Sequence, residues 1–233
     1  ADARFALLYQ NDDFGRDYLA GLRDVLGAGY DARVKAASHE VTDPTVDSQL
    51  IALQGADVLV SGTTAKFVAM AIRRQHEMGS RATHYIASGA SSVSGVIVPA
   101  GAERAVGTIS SAYLKDPNDP AWAEDAGMRA WRGFMAKYLP DADTKDIYYT
   151  YATMVTEVLM AVLRQCGAEL TRPRIMKEAA NLRDVEHPLL LPGIRVNTSR
   201  TDYRPLEQLQ LVRWDGRQWQ RFGEVIEGSG ARS

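Results

Sequence analysis

The sequence is 233 residues long, 45% hydrophobic and 24% charged, and its 27 Lys and Arg against 29 Asp and Glu leave a net charge of −2. That length supports one large core or two lobes. The basic residues are spread along the chain, which argues against nucleic acid as a partner, and no apolar run approaches the ~20 residues that span a bilayer, so no direct membrane insertion is expected.

Cys166 is the single cysteine, which leaves no internal disulfide and no cysteine-based metal cluster. The chain opens at Ala1 without Met and shows no signal-peptide pattern, so a processed or truncated N-terminus is expected. Residues 4–9 are short and mostly apolar, the pattern of a strand buried on both faces. A polar corner, Gln10-Asn11-Asp12-Asp13, follows. From there Phe14, Tyr18, Leu22, Val25 and Leu26 recur at helical spacing, with Asp12 or Asp13 able to cap the helix and Gly27 and Gly29 able to end it.

The same unit repeats. Residues 32–41 read as a strand, 46–53 as a short helix and 56–60 as a third strand. Ser61-Gly62-Thr63-Thr64 is a second corner, leading to a helix over 65–78 with Phe67, Val68, Ala71 and Ile72 on one face. Residues 84–87 read as a fourth strand and Ser88-Gly89-Ala90-Ser91-Ser92 as a third corner, with a fifth strand over 106–113. Alternating strands and helices imply a parallel sheet with right-handed crossovers, so residues 1–115 read as a doubly wound α/β lobe. In such sheets the loops at the carboxyl ends of the strands line the ligand crevice, and all three corners fall at that end.

Two prolines within Lys115-Asp116-Pro117-Asn118-Asp119-Pro120 mark a boundary or crossover. Residues 116–190 are helix-rich, with helices over 126–138, 149–166 and 172–182. Residues 191–233 form the last segment. Within residues 188–198 the chain reads as extended. Strands over 206–213 and 218–222 flank Trp214-Asp215-Gly216-Arg217, a hairpin signal. This half has too few strands for a sheet of its own and needs partners from elsewhere.

No phosphate loop, dinucleotide fingerprint, zinc-protease helix or serine-hydrolase elbow is present, and no cofactor is expected. The four histidines, His39, His76, His84 and His187, show no metal-ligand spacing. Cys166, beside Leu163 late in a helix, reads as a packed small hydrophobe. The second corner has two readings that can coexist. Gly62 would let a ligand approach, with Thr63, Thr64 and the first helical N–H groups facing a carboxylate; otherwise the corner is a plain helix cap. The third corner is either a site with room for a polar group or a flexible turn. Phe14 is a core staple or a cleft-wall aromatic, and Tyr148, Tyr149 and Tyr151 either pack or stack on a ligand.

The segments "FALLYQNDDFGRDYLAGLRD", "VTDPTVDSQLIALQGADVLV" and "GTISSAYLKDPNDPAW", followed in order by "MRAWRGFMAKYLPDAD", "LRQCGAELTRPRIMKEAANL" and "LLLPGIRVNTSRTDYRPLEQLQLVRWDG", resemble the type I periplasmic solute-binding proteins of branched-chain amino acid ABC transporters, which are leucine-binding-protein-like. The resemblance covers nearly the whole chain. It implies two α/β lobes joined by hinge strands, a small molecule held between them, a membrane permease as partner and a periplasmic location. It also implies a missing N-terminal segment, so that this chain is a C-terminal portion: residues 1–115 would be one lobe, 116–190 a return to the other, incomplete one, and the final hairpin would lie near the hinge.

By the same resemblance, the family's aromatic-Gly falls on Phe14-Gly15, next to Asp13. Its second-corner contacts fall near Thr63 and Thr64, beside Ser61. Amino-acid-binding members place an acidic residue where this chain has Gly89, flanked by Ser88 and Ala90. A buried ammonium without a counter-charge costs several kcal/mol, so a carboxylate or amide lacking an ammonium, aromatic or aliphatic, fits these corners better than a standard amino acid unless Asp12 or Asp13 substitutes. Two other functions remain open: an α/β enzyme acting on a phosphorylated or activated metabolite, and a ligand-sensing regulatory domain of the same fold.

Overall fold

The apolar run after Arg4 forms strand β1 (Phe5–Gln10) in the computed structural model, which describes residues 3–228. Ala6, Leu7 and Leu8 are at most 1% exposed, so both faces of β1 are covered, as an interior parallel strand requires. Helix α1 (Asp13–Leu26) follows, then a helical turn α2 (Tyr30–Arg33), β2 (Val34–His39), α3 (Asp47–Ala52), β3 (Val58–Gly62), α4 (Ala65–Glu77), β4 (Thr83–Ile86), a short α5 (Val98–Ala100) and β5 (Ile109–Ala112). Beyond these lie α6 (Ala126–Tyr138), α7 (Ile147–Cys166), α8 (Arg172–Ala179), β6 (Gln208–Trp214) and β7 (Trp219–Glu227). The strands follow one hydrogen-bonded order, β2-β1-β3-β4-β5-β6-β7, and the pairings from β2 through β5 are parallel.

The chain divides into two units. Unit 1 runs through Ser111 and resumes over Val212–Gln220; unit 2 covers Ala112–Leu211 and resumes at Arg221. In unit 1, Ala6, Leu8 and Leu59 meet Val46, Leu50, Phe67 and Ala71 of the crossover segments in one apolar cluster. The register aligns Gln10 with His39, Tyr9 with Gly62 and Ser61 with Ile86, so β2, β1, β3 and β4 finish level with one another.

Helix α1 departs from the simple stripe read in its sequence. Only Gly15 is buried, while Phe14 is 41% and Val25 81% exposed. At about 100° per residue, Gly15, Leu22 and Leu26 share one direction, and Phe14 and Val25 point roughly 80–100° away from it. The helix therefore sits on the sheet through a bare glycine backbone, and Phe14 is not a core residue.

In unit 2, Met128, Trp131 and Met135 of α6 and Met154 and Val162 of α7 close a second core with Leu182, Leu189, Ile194 and Val196. Cys166 is buried at the end of α7. Residues 188–198 do not form the extended segment expected of them. They contribute only the isolated bridges Leu114–Leu190 and Val185–Val196. Pro188 and Pro192 offer no N–H to a ladder, and Gly193, at φ 86°, turns the chain between them. Along α7, Tyr148, Tyr151, Val155 and Leu159 stay exposed at helical spacing, whereas Tyr149 packs against the core. A groove of about 590 Å3 in unit 2 is lined by Phe134, Leu139, Tyr149, Ala152 and Val158 among others.

Candidate functional site

Each of the three polar corners begins at the carboxyl end of a strand, and adjacent strands place them side by side along one edge of unit 1. The first is built on Asp12. Its Oδ1 accepts from the Gly15 N–H at 2.9 Å and caps α1. Its Oδ2 accepts from Gln10 Nε2 at 2.5 Å. The Gly15 N–H, then the Gln10 amide, hold the Asp12 carboxyl below the usual carboxylate range. Asp13 faces solvent and makes only a long contact of 3.8 Å with Arg16, the kind of exposed pair that contributes little. Phe14 stands beside Tyr18 in an edge-to-face contact, ring centroids 5.5 Å apart.

Gln10 ties the first corner to the second. Thr64 Oγ1 donates to Gln10 Oε1 at 3.0 Å, so one buried amide spans the start of α1 and the start of α4. Thr64 does not cap α4 with its side chain. Thr63 turns inward and is fully buried, its Oγ1 2.7 Å from His39 Nε2. His39 Nδ1 faces the Glu40 carbonyl at 3.0 Å. A carbonyl can only accept, so Nδ1 carries the proton and, in the neutral ring, Nε2 accepts from Thr63. Ser61 is likewise fully buried, 2.8 Å from His84 Nε2. Burial pushes the His84 pKa down to about 4.

The third corner is a tight turn over Ser88–Ala90. Ser91 Oγ donates to the Ser88 carbonyl at 2.8 Å, and Ser92 Oγ caps the next helical turn at Gly95 N. Ala90 is buried, Ser88 half-buried and Gly89 exposed. A Cβ on Gly89 would meet nothing within 4 Å, so the corner is open at its tip.

The candidate residues thus separate by depth. Asp13, Phe14, Thr64 and Gly89 present surface and Ser88 is partly exposed, whereas Ser61, Thr63 and Ala90 lie beneath. Gly62 does not serve ligand approach: a Cβ there would stand 2.6 Å from Cγ of Tyr18, so its bareness seats that side chain of α1. In the sequence Gln10 is only one residue of the first corner, and His39 and His84 are only two of four scattered histidines. His39 and His84 are far apart in the chain, and only the order β2-β1-β3-β4 brings both to β3.

The periplasmic binding protein family matches residues 1–218. The chain belongs to that family. Among solved structures, this periplasmic binding protein resembles a substrate-binding periplasmic protein from Ralstonia solanacearum, at 19% identity and a TM-score of 0.76 over 97% of this chain and 62% of that one. It also resembles a branched chain amino acid ABC transporter protein from Thermus thermophilus with bound valine, at 16% identity and a TM-score of 0.78 over 98% and 61%. A third likeness is to a fatty acid ABC transporter substrate-binding protein from Thermomonospora curvata, at 14% identity and a TM-score of 0.74 over 97% and 58%. These likenesses establish the fold, and the chain spans less than two thirds of the length of each. No curated protein matches the chain.

In this periplasmic binding protein the Ser61 and Thr63 hydroxyls lie buried beneath the second corner, each beside a histidine. Thr63→Ala is expected to lower stability by about 1–3 kcal/mol, because it strands His39 Nε2 in a dry site. Thr64→Ala, at an exposed position, should cost less than about 1 kcal/mol. Urea denaturation of both variants checks this; equal stabilities would mean that His39 finds another partner. Among the described residues, no group of three or more His, Cys, Asp and Glu side chains is placed to hold a metal ion, and no helix is long and apolar enough to cross a membrane.

Proposed function

We propose that the chain belongs to the solute-binding component of an ABC importer, working in the periplasm and presenting a small organic solute to a membrane permease. The observation that carries this reading is the level ending of β1, β3 and β4, which aligns three polar corners on one edge of unit 1. Phe14 would border the solute. Thr64 and the first N–H groups of α4 would face its polar head, where the helix dipole favours negative charge. Ser88 and Gly89 would line the far side. Asp13 stands near the rim.

The relative from Thermus thermophilus holds valine and the one from Thermomonospora curvata is a fatty acid ABC transporter substrate-binding protein; valine and fatty acids both carry a carboxylate. Since Ser88, Gly89 and Ala90 bring no acid to the third corner, a carboxylate or amide without an ammonium is the preferred solute here. A buried ammonium would lack its counter-charge. In the whole protein the solute would be held by a hinge closure between two lobes, and it would stabilise the closed state through its better contacts there.

The test is a thermal-unfolding series on the protein expressed from its complete reading frame, with valine, isovalerate, benzoate, decanoate and isobutyramide. A probe at 100 times its Kd should add about 2.7 kcal/mol. Isovalerate or benzoate should stabilise more than valine. Chemical conversion of a bound probe, or no stabilisation by any of them, would overturn the proposal.

A further inference from the structure

The third corner is made of small residues, which hold a turn loosely when left to themselves. Two of its bonds are local: the Ala90 N–H donates to the Ala87 carbonyl at 2.9 Å, and Ser91 Oγ reaches Ser88. Bonds of this kind travel with the turn. A different bond fixes it to the rest of unit 1. Trp219 Nε1 donates to the Ser91 carbonyl at 2.9 Å, across 128 positions of sequence.

That indole is itself held. Trp219 is 6% exposed and meets Trp214 edge to face, with ring centroids 5.6 Å apart. Trp214 is 2% exposed. Its Nε1 donates to the Ala102 carbonyl at 2.9 Å, and its backbone exchanges hydrogen bonds with Gly107 and Thr108. All of these residues lie in unit 1, and the chain leaves that unit after Gln220, one position beyond Trp219.

We propose that Trp219 is the positioning residue of the third corner, its indole N–H setting where Ser88 and Gly89 stand on the rim and linking that corner to the start of β7. This rests on the solute-binding reading above for its functional consequence. A bulky aromatic with two rotatable bonds gives a fixed donor at small entropic cost, which a serine or asparagine on a mobile loop would not. A solute that presses on the corner moves the Ser91 carbonyl, and the indole environment changes with it.

The test uses Trp219→Phe, which keeps an aromatic ring and removes the N–H, with Trp214→Phe as comparator because it removes the neighbouring indole bond instead. Backbone hydrogen exchange is read over residues 88–92 and over the other two corners. Trp219→Phe should speed exchange at 88–92 by about tenfold, the factor matching one ordinary hydrogen bond, and leave residues 10–14 and 61–64 unchanged. Trp214→Phe should not reproduce that pattern. The Kd of the tightest of isovalerate, benzoate and valine, read by ligand-observed NMR, should rise about fivefold in Trp219→Phe. Its tryptophan emission should no longer respond to the probe, although the unaltered protein's does.

If Trp219→Phe does not fold, the indole 15N–1H resonance of Trp219 in the unaltered protein supplies the measurement. It should exchange slowly with solvent and shift on addition of the probe; a fast-exchanging, unresponsive resonance overturns the inference. So do unchanged exchange at 88–92, or faster exchange with an unchanged Kd. If no probe binds the unaltered protein, the solute-binding reading falls, and exchange at 88–92 alone decides the role of Trp219.

Discussion

Gly15→Ala is expected to destabilise the protein by about 3 kcal/mol, near the upper end for overpacking, and to abolish solute binding with it. A Cβ at position 15 would stand 1.9 Å from the Gln10 carbonyl oxygen and 2.7 Å from the Gln10 nitrogen. Both are backbone atoms in the last residue of β1, so no rotamer change can relieve the clash. Either the first turn of α1 lifts or the strand end shifts. Both moves break the Asp12 cap on Gly15 and displace the Gln10 amide, which holds Asp12 on one side and Thr64 on the other. Gly21→Ala in the same helix is the control. Nothing lies within 4 Å of its Cβ position, so it should stabilise by about 0.5–1 kcal/mol through helix propensity and a less flexible unfolded chain. Urea denaturation of the pair gives a difference of about 4 kcal/mol if the close approach is real. Equal stabilities would mean that α1 does not rest on the strand end.

Much of this architecture is legible in the sequence because it is governed by local signals. The run at 4–9, the helical spacing that follows Thr64 and the turn at Asp215-Gly216 each announce their element within a few residues. The start of α6 at Ala126, with Asp125 as its cap, follows the same logic. The corners are legible for a related reason: a polar stretch between an apolar strand and a helix has to lie at the strand's carboxyl end in an α/β lobe. The ordered motifs that suggested periplasmic solute-binding proteins span the region matched by that family.

What is not legible is the destination of each polar group. Thr63 and Thr64 are neighbours with the same side chain, yet one is sealed against His39 and the other is exposed on the rim. That difference depends on β2 lying beside β1 and β1 beside β3, a fact that no window of sequence contains. Gly62 misleads for the same reason. Its missing side chain suggests an approaching ligand, but the occupant is Tyr18, 44 positions earlier in the chain. Residues 188–198 show the converse: the apolar run of Leu189, Leu190 and Leu191 reads as extended, and two prolines with a glycine at positive φ prevent a ladder.

The Ser61–His84 pair makes the second large expectation a pH effect. Burial holds the His84 ring at a pKa of about 4 in the folded protein, against about 6.5 in an unfolded chain. As pH falls below 6.5 the unfolded chain takes up a proton that the folded protein refuses until about pH 4. The unfolded state therefore binds more protons throughout that window, and stability rises with pH across it. The contribution is present in full above pH 6.5 and is lost on acidification toward pH 4, a fall of about 3 kcal/mol. Burial lowers the His187 pKa as well, so it adds in the same direction. The capping and paired carboxylates of Asp12, Asp57 and Asp215 have pKa values lowered from 3.8, so their losses begin near pH 5 and fall mostly below the histidine window, while the raised, buried Asp116 acts in the opposite direction. Ser61→Ala with His84→Leu removes both polar partners together, which avoids stranding a buried hydroxyl. Its urea midpoint should change far less between pH 7 and pH 4.5 than that of the unaltered protein. If the double variant kept the full acid sensitivity, the loss would have to arise elsewhere, and His84 would not be the neutral, buried ring beneath the second corner that its burial and its bond to Ser61 describe.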